Sequence, residues 1–206
     1  MIQATQLTSP IRRLLLLFSV LAVVLGAPGC SKYDELVEKD SICDQRWADV
    51  EAQLQRRYDL IPNLVATVKA SAKHEETVLA QVTEARAQAT SIKLTADDLT
   101  DPAKMEAFQK AQDQLKGAIS RLLVVQESYP DLKANQGFRD LQVQLEGTEN
   151  RVLRSREQYN AAVQDYNATL NKIGGSAVNK VTGKPFKPRV YFQAAAGAQA
   201  APTVSF

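Results

Sequence analysis

The chain has 206 residues, with 25 Lys and Arg against 23 Asp and Glu and a single His, for a formal charge of +2. Near-neutral charge with both signs interspersed speaks against nucleic-acid binding, which needs a basic surface. One His and two Cys leave too few ligands for a zinc centre built on those residues.

The first predicted element is an export signal. Arg12 and Arg13 lead into an apolar run from Leu14 to Leu25, the layout of a positive n-region and a short h-region. The stretch from Leu14 to Ala27 is 14 residues, whereas a membrane-spanning helix wants about 20. Ala27 and Gly29 are small residues just ahead of Cys30. In a bacterial lipoprotein a signal peptidase cuts before such a cysteine, whose thiol carries a diacylglycerol. Ala27 stands where leucine is usual, and Pro28 is unusual there. Three outcomes therefore stay open: a lipoprotein acylated at Cys30, an uncleaved single-span anchor, and plain secretion. The first two tie the chain to a membrane and put its bulk on the extracytoplasmic face. Acyl chains would hold it firmly, since each buried CH₂ contributes about 0.8 kcal/mol.

Residues 1–29 hold two arginines and no acid, so the remainder is formally neutral and about one domain long. With Cys30 acylated, Cys43 has no partner for an intrachain disulfide. Its place on an apolar seam predicts a small buried hydrophobe.

Beyond Cys30, apolar residues follow helical spacing. Leu36, Asp40, Cys43, Trp47, Val50 and Leu54 alternate steps of four and three. The pattern resumes at Ile61, Val65, Val68, Ala72, Glu75, Leu79 and Val82, after a slip near Pro62. Proline lacks an N–H and crowds the carbonyl four residues back. Because the stripe resumes at once, a kinked or nearly continuous helix is expected, rather than one that ends near Asp59.

Residues Thr95 to Asp101 read as a break, and Asp101-Pro102 is a helix start signal, an N-cap before proline. The third seam is Met105, Phe108, Gln112, Leu115, Ile119 and Leu122. It stops before Tyr129-Pro130, since the residue before proline is biased out of helix. The longest seam is Phe138, Leu141, Leu145, Thr148, Val152, Ser155, Tyr159, Ala162, Tyr166, Thr169 and Ile173, closed by Gly174-Gly175. Glu146, Arg151, Arg154 and Glu157 fall off this seam and should face water. Arg189 to Gln193 reads as a short extended arm, and residues 194–206 as a disordered Ala/Gly-rich tail. The whole predicts an all-α, up-and-down antiparallel bundle of long helices with shallow crossings.

The segment QLQRRYDLIPNLVATV at 53–68 and its continuation KASAKHEETVLAQVTEARAQA at 69–89 resemble the LemA family of bacterial proteins. LEGTENRV at 145–152, the Tyr-Asn pairs at 159–160 and 166–167, and KPFKPRVYF at 184–192 extend the likeness. The resemblance covers roughly residues 32–193, so residues 30–193 form the expected domain and 1–29 the signal peptide or N-terminal membrane segment. It implies a four-helix-type bundle on an N-terminal membrane segment or lipid anchor. It also implies a cell-envelope role without a defined biochemistry, linked in some relatives to HtpX-type envelope proteases and in one branch to magnetosome membranes. The family's Phe-Pro after the last long helix is absent here, where Ile173-Gly174 stands.

Polar residues Arg56, Arg57, Asp59 and Asn63 crowd around Pro62. They are expected to satisfy the carbonyl that proline frees, with an Arg–Asp pair locking the angle, or to form a binding patch. Tyr159 and Tyr166, seven apart and each followed by Asn, read as core tyrosines with hydrogen-bonded hydroxyls. Glu146 and Glu149 read as partners for arginines rather than an acid/base pair. His74 lacks the Glu three residues earlier that di-metal bundles use, Ser71 standing there instead. No phosphate loop or nucleophile elbow occurs. The expectation is a non-catalytic envelope scaffold without cofactor or metal, whose partners are a membrane and an envelope protein. The alternative is a ligand- or peptide-binding adaptor.

Overall fold

The computed structural model describes residues 10–72, 75–172 and 186–193, with side chains from residue 32 onward. Five helices make up most of it: α1 (Pro10–Ser71), α2 (Glu76–Ser91), α3 (Pro102–Val124), the short α4 (Pro130–Ala134) and α5 (Gln136–Leu170). No strand occurs among the described residues.

The seam periodicity dictates the packing. Leu36, Cys43, Trp47, Val50 and Leu54 on α1 are buried, as are Met105, Phe108, Gln112, Leu115, Ile119 and Leu122 on α3. On α5 the buried set includes Phe138, Leu145, Thr148, Val152, Ser155, Tyr159, Tyr166 and Thr169. Glu146, Arg151, Arg154 and Glu157 are exposed. α1 packs along α5, α2 along α3, and α2 against α1. The cross-links fix the directions. Lys39 pairs with Asp165 and Arg57 with Glu149, so α5 runs antiparallel to α1. Trp47 meets Phe108 and Arg57 meets Gln112, so α3 runs parallel to α1. The up-and-down antiparallel bundle is what the seams predict.

Local chemistry sets most boundaries. The Asp101 carboxylate accepts from the Ala103 and Lys104 amides, with Pro102 opening α3. Asn135 caps α5 by accepting from Phe138 N at 3.1 Å. A 3₁₀ turn at Asp98–Thr100 fills the predicted break. α3 stops at Val124, passes through a 3₁₀ turn, and Tyr129 is extended ahead of Pro130.

The helix runs through Pro62, as the resuming stripe predicts, but two other boundaries differ from the sequence reading. First, α1 ends at Ser71, and α2 starts at Glu76 and packs back against α1. A seam of threes and fours reads the same through a straight helix and through a hairpin whose two arms share one core. The reversal lacks Gly and Pro, so nothing local announces it. Tyr129, from the α3–α4 corner, donates to the Glu75 carboxylate at 3.0 Å and ties the corners at this end together. Second, α5 ends at Leu170, with Asn171 as C-cap in helical backbone. Gly174-Gly175, Ile173, His74 and the 194–206 tail lie outside the described residues.

Candidate functional site

Two polar clusters interrupt the apolar seams. The first surrounds Pro62. Helical rotation splits the expected group: Arg57 is 3% exposed, whereas Arg56, Asp59, Pro62 and Asn63 are exposed. Arg57 faces the core, donating to Glu149 on α5 at 2.8 Å and to the Gln112 side-chain oxygen on α3. The Gln112 amide donates to the Tyr58 hydroxyl at 2.6 Å. Burial, first of all, pushes the Tyr58 pKa up. Arg57 Nε is buried and has no acceptor among the described residues.

The expected Arg–Asp lock is not formed, because Asp59 lies outward and accepts from Gln55 at 2.7 Å. The carbonyl that Pro62 frees, that of Tyr58, accepts instead from Arg86 Nε on α2 at 2.9 Å. No residue next to Pro62 can do this without unwinding its own helix, whereas a side chain from the neighbouring helix reaches the carbonyl directly. Glu149 pairs with Arg57, as expected of it; Glu146 accepts from Gln142 at 3.1 Å.

The second cluster is the docking site of the arm, residues 186–193, which lies between α3 and α5. Asn160 donates to Phe192 O at 2.9 Å and accepts from Phe192 N at 2.8 Å. Asn167 treats Arg189 identically, both bonds at 2.9 Å. Each asparagine thus satisfies one whole peptide residue, as a neighbouring strand would. The Tyr159 hydroxyl donates to Val190 O at 3.0 Å and that of Tyr166 to Lys187 O at 3.1 Å. The spacing has a simple origin. Seven helical residues rise about 10.5 Å, and three extended residues rise about 10 Å. Helix positions 160 and 167 therefore match arm positions 192 and 189, with the arm antiparallel to α5.

Two arm side chains add specificity. Arg189, 5% exposed, donates from Nε to Asp40 at 2.8 Å, and its Nη1 lies 2.7 Å from an Asp44 oxygen. Burial works against the Arg189 charge, but the two carboxylates overcome it and raise its pKa. Asp40, the polar intruder of the first seam, therefore has a buried counter-ion. Phe192 sits 6.1 Å from Trp47 and 5.9 Å from Phe108, with Arg156 over its ring. From α3, Gln109 donates to Tyr191 O at 3.2 Å, and Val190 N donates to Leu99 O at 2.8 Å. Burial raises the Tyr159 and Tyr166 pKa values, so both hydroxyls remain donors. These are the hydrogen-bonded core tyrosines that their spacing predicts. Their partner, the arm backbone, was missed. The signal was present in the repeated Tyr-Asn at a seven-residue interval.

Other residues offer little chemistry. Cys43 is buried and free, and burial raises its thiol pKa to about 11, which makes it an inert core hydrophobe. No cluster of metal-ligating side chains occurs among the described residues. The Cys30 side chain lies outside them, although the α1 backbone passes through that position. No helix among the described residues is long and apolar enough to cross a membrane.

The model of the LemA family matches residues 46–206. Magnetosome proteins MamQ 1 and MamQ 2 of Paramagnetospirillum magneticum are each 26% identical over 196 residues, covering 87% of this chain and 71% of theirs. Magnetosome protein MamQ of Magnetospirillum gryphiswaldense is 23% identical over 197 residues, covering 87% and 72%.

Proposed function

Because this chain belongs to the LemA family, we propose that it is a membrane-anchored, non-catalytic interaction protein of the cell envelope. Residues 1–29 act as the signal or membrane segment, and Cys30 is the acylated anchor. The observation that carries this reading is the continuity of α1 from Cys30 to Ser71. The helix leaves the anchor and enters the core seam at Leu36, within about two turns. From Cys30 to Ser71 it rises roughly 60 Å, which sets the bundle at a fixed height and orientation above the anchor. The MamQ relatives are magnetosome proteins by name, which supports a role for this chain in an organised cellular structure rather than free in solution.

The partner surface is the outward face of α1 around Pro62, where Arg56, Asp59 and Asn63 stand exposed. With Arg57 committed to the core, these residues are free to meet an envelope protein.

Two measurements test the proposal. Labelling with a fatty-acid analogue should mark the wild type and not Cys30→Ser; labelling of neither removes the lipid anchor. Crosslinking in the native envelope should recover a partner that Arg56→Ala with Asn63→Ala loses while the melting temperature holds. A partner recovered equally by both places the surface elsewhere. Thermal stabilisation by a free ligand, following its concentration, would favour an adaptor instead.

A further inference from the structure

We propose that residues 186–193 are an exchangeable arm, which docks in its own bundle or in that of a second copy and so links neighbouring chains. The setting rests on the anchored reading above; the exchange itself does not.

The docking site reads only the arm. The bonds that hold residues 187–192 come from Asp40 and Asp44 on α1, Gln109 on α3, the Leu99 carbonyl, and the two Tyr-Asn pairs of α5. A second copy's arm presents the same backbone, the same arginine and the same phenylalanine. Nothing in the site depends on which chain supplies them, the condition under which an element can be traded between copies.

The connection is far longer than docking at home requires. Fifteen residues, 171–185, separate Leu170 from Phe186. Lys187 O nevertheless meets the Tyr166 hydroxyl, about one turn before α5 ends. That length reaches up to roughly 50 Å, whereas two helix diameters span about 20 Å.

The arm also starts at the end of the bundle that faces the anchor. The Phe186 ring lies 5.8 Å from that of Tyr33, three residues beyond Cys30. Anchored copies would present these ends in one plane. A tether of this kind supplies an effective concentration of about a millimolar. The arm therefore stays home in dilute solution and trades where neighbours reach similar density.

The test mixes isotopically light and heavy full-length chain one to one, the light chain carrying p-benzoylphenylalanine in place of Tyr191, which is exposed beside Gln109 and Lys110. After incubation and illumination, products joining a light arm to a heavy α3 peptide report exchange. In detergent at about 1 mM chain they should approach a quarter of the arm cross-links, and at about 10 µM fall about fiftyfold. Mixed products no more frequent than those from a crosslinker at exposed Val124, at the other end of α3, overturn the proposal. Repeating the mixture in vesicles separates the two readings. A chain that does not float with vesicles defeats the anchor, while the concentrated detergent sample still decides the exchange.

Discussion

At one end of α5, Asn160 and Asn167 turn their amides on the backbone of another segment; in the last quarter of α1, Arg57 turns its guanidinium on other side chains. Both clusters replace apolar seam positions, yet they solve burial differently. The asparagines match every donor and acceptor they meet, and Arg189 enters with two carboxylates. The Arg57 group carries a charge into the core against one partly exposed carboxylate; each arginine keeps one buried nitrogen without a hydrogen bond, Nε of Arg57 and Nη1 of Arg189, the latter in an ion pair with Asp44. The first arrangement specifies a register. The second joins α1, α3 and α5 at a cost, since desolvating a charge offsets much of what its partner returns. The arm site directs its polar groups at backbone and at two carboxylates, whereas the Arg57 site directs them at other core side chains.

Five substitutions test it. The largest effect is expected from Phe192→Ala, which empties a pocket among Trp47 and Phe108. It should cost about 3 kcal/mol in denaturant unfolding and shift Trp47 fluorescence, with helical circular dichroism retained because only the arm leaves. Arg57→Ala should cost about 2–3 kcal/mol and lower the unfolding midpoint of the whole bundle. Replacing Arg57 by Met together with Glu149 by Leu should recover most of that; no recovery would make the pair a net stabiliser and undo the contrast. Asn167→Ala strands both polar groups of Arg189 and should cost about 1–2 kcal/mol, seen as faster amide exchange at Arg189 and Val190. Arg86→Met should cost about 1 kcal/mol, and less in a Pro62→Ala background, where an intrahelical N–H returns to the Tyr58 carbonyl. Equal losses in the two backgrounds would deny Arg86 its role.

The smallest effect is at Asp98. Hydrogen bonds from Lys104 and Thr95 lower its pKa to about 2, from 3.8. A depressed folded value means that its contribution is present above the unfolded pKa and is lost as pH falls through the folded one. Stability should therefore drop between about pH 4 and pH 2, and Asp98→Asn should flatten that limb in acid titration followed by circular dichroism.

The seams on α1, α3 and α5 were legible because a helix repeats its core face every three or four residues, and Asp101-Pro102 was legible because capping is local. The reversal at 72–75 was not, since no breaker marks it and the seam continues across it. In the Pro62 cluster, composition named the residues, but helical rotation decided that Arg57 turns inward and Arg56 outward. The donor for the Tyr58 carbonyl came from α2, beyond any local pattern.

The helical class, the seam residues, the likeness to the LemA family and the apolar lead ending at Cys30 are all properties of spacing and composition along one chain. Packing was needed to show that the Tyr-Asn repeat serves the arm, that the half-buried Asp40 pairs with the buried Arg189, and that Arg86 completes Pro62. Each of these joins residues far apart in the chain, and a hydrogen bond between them depends on distance and direction, which only the packed helices supply.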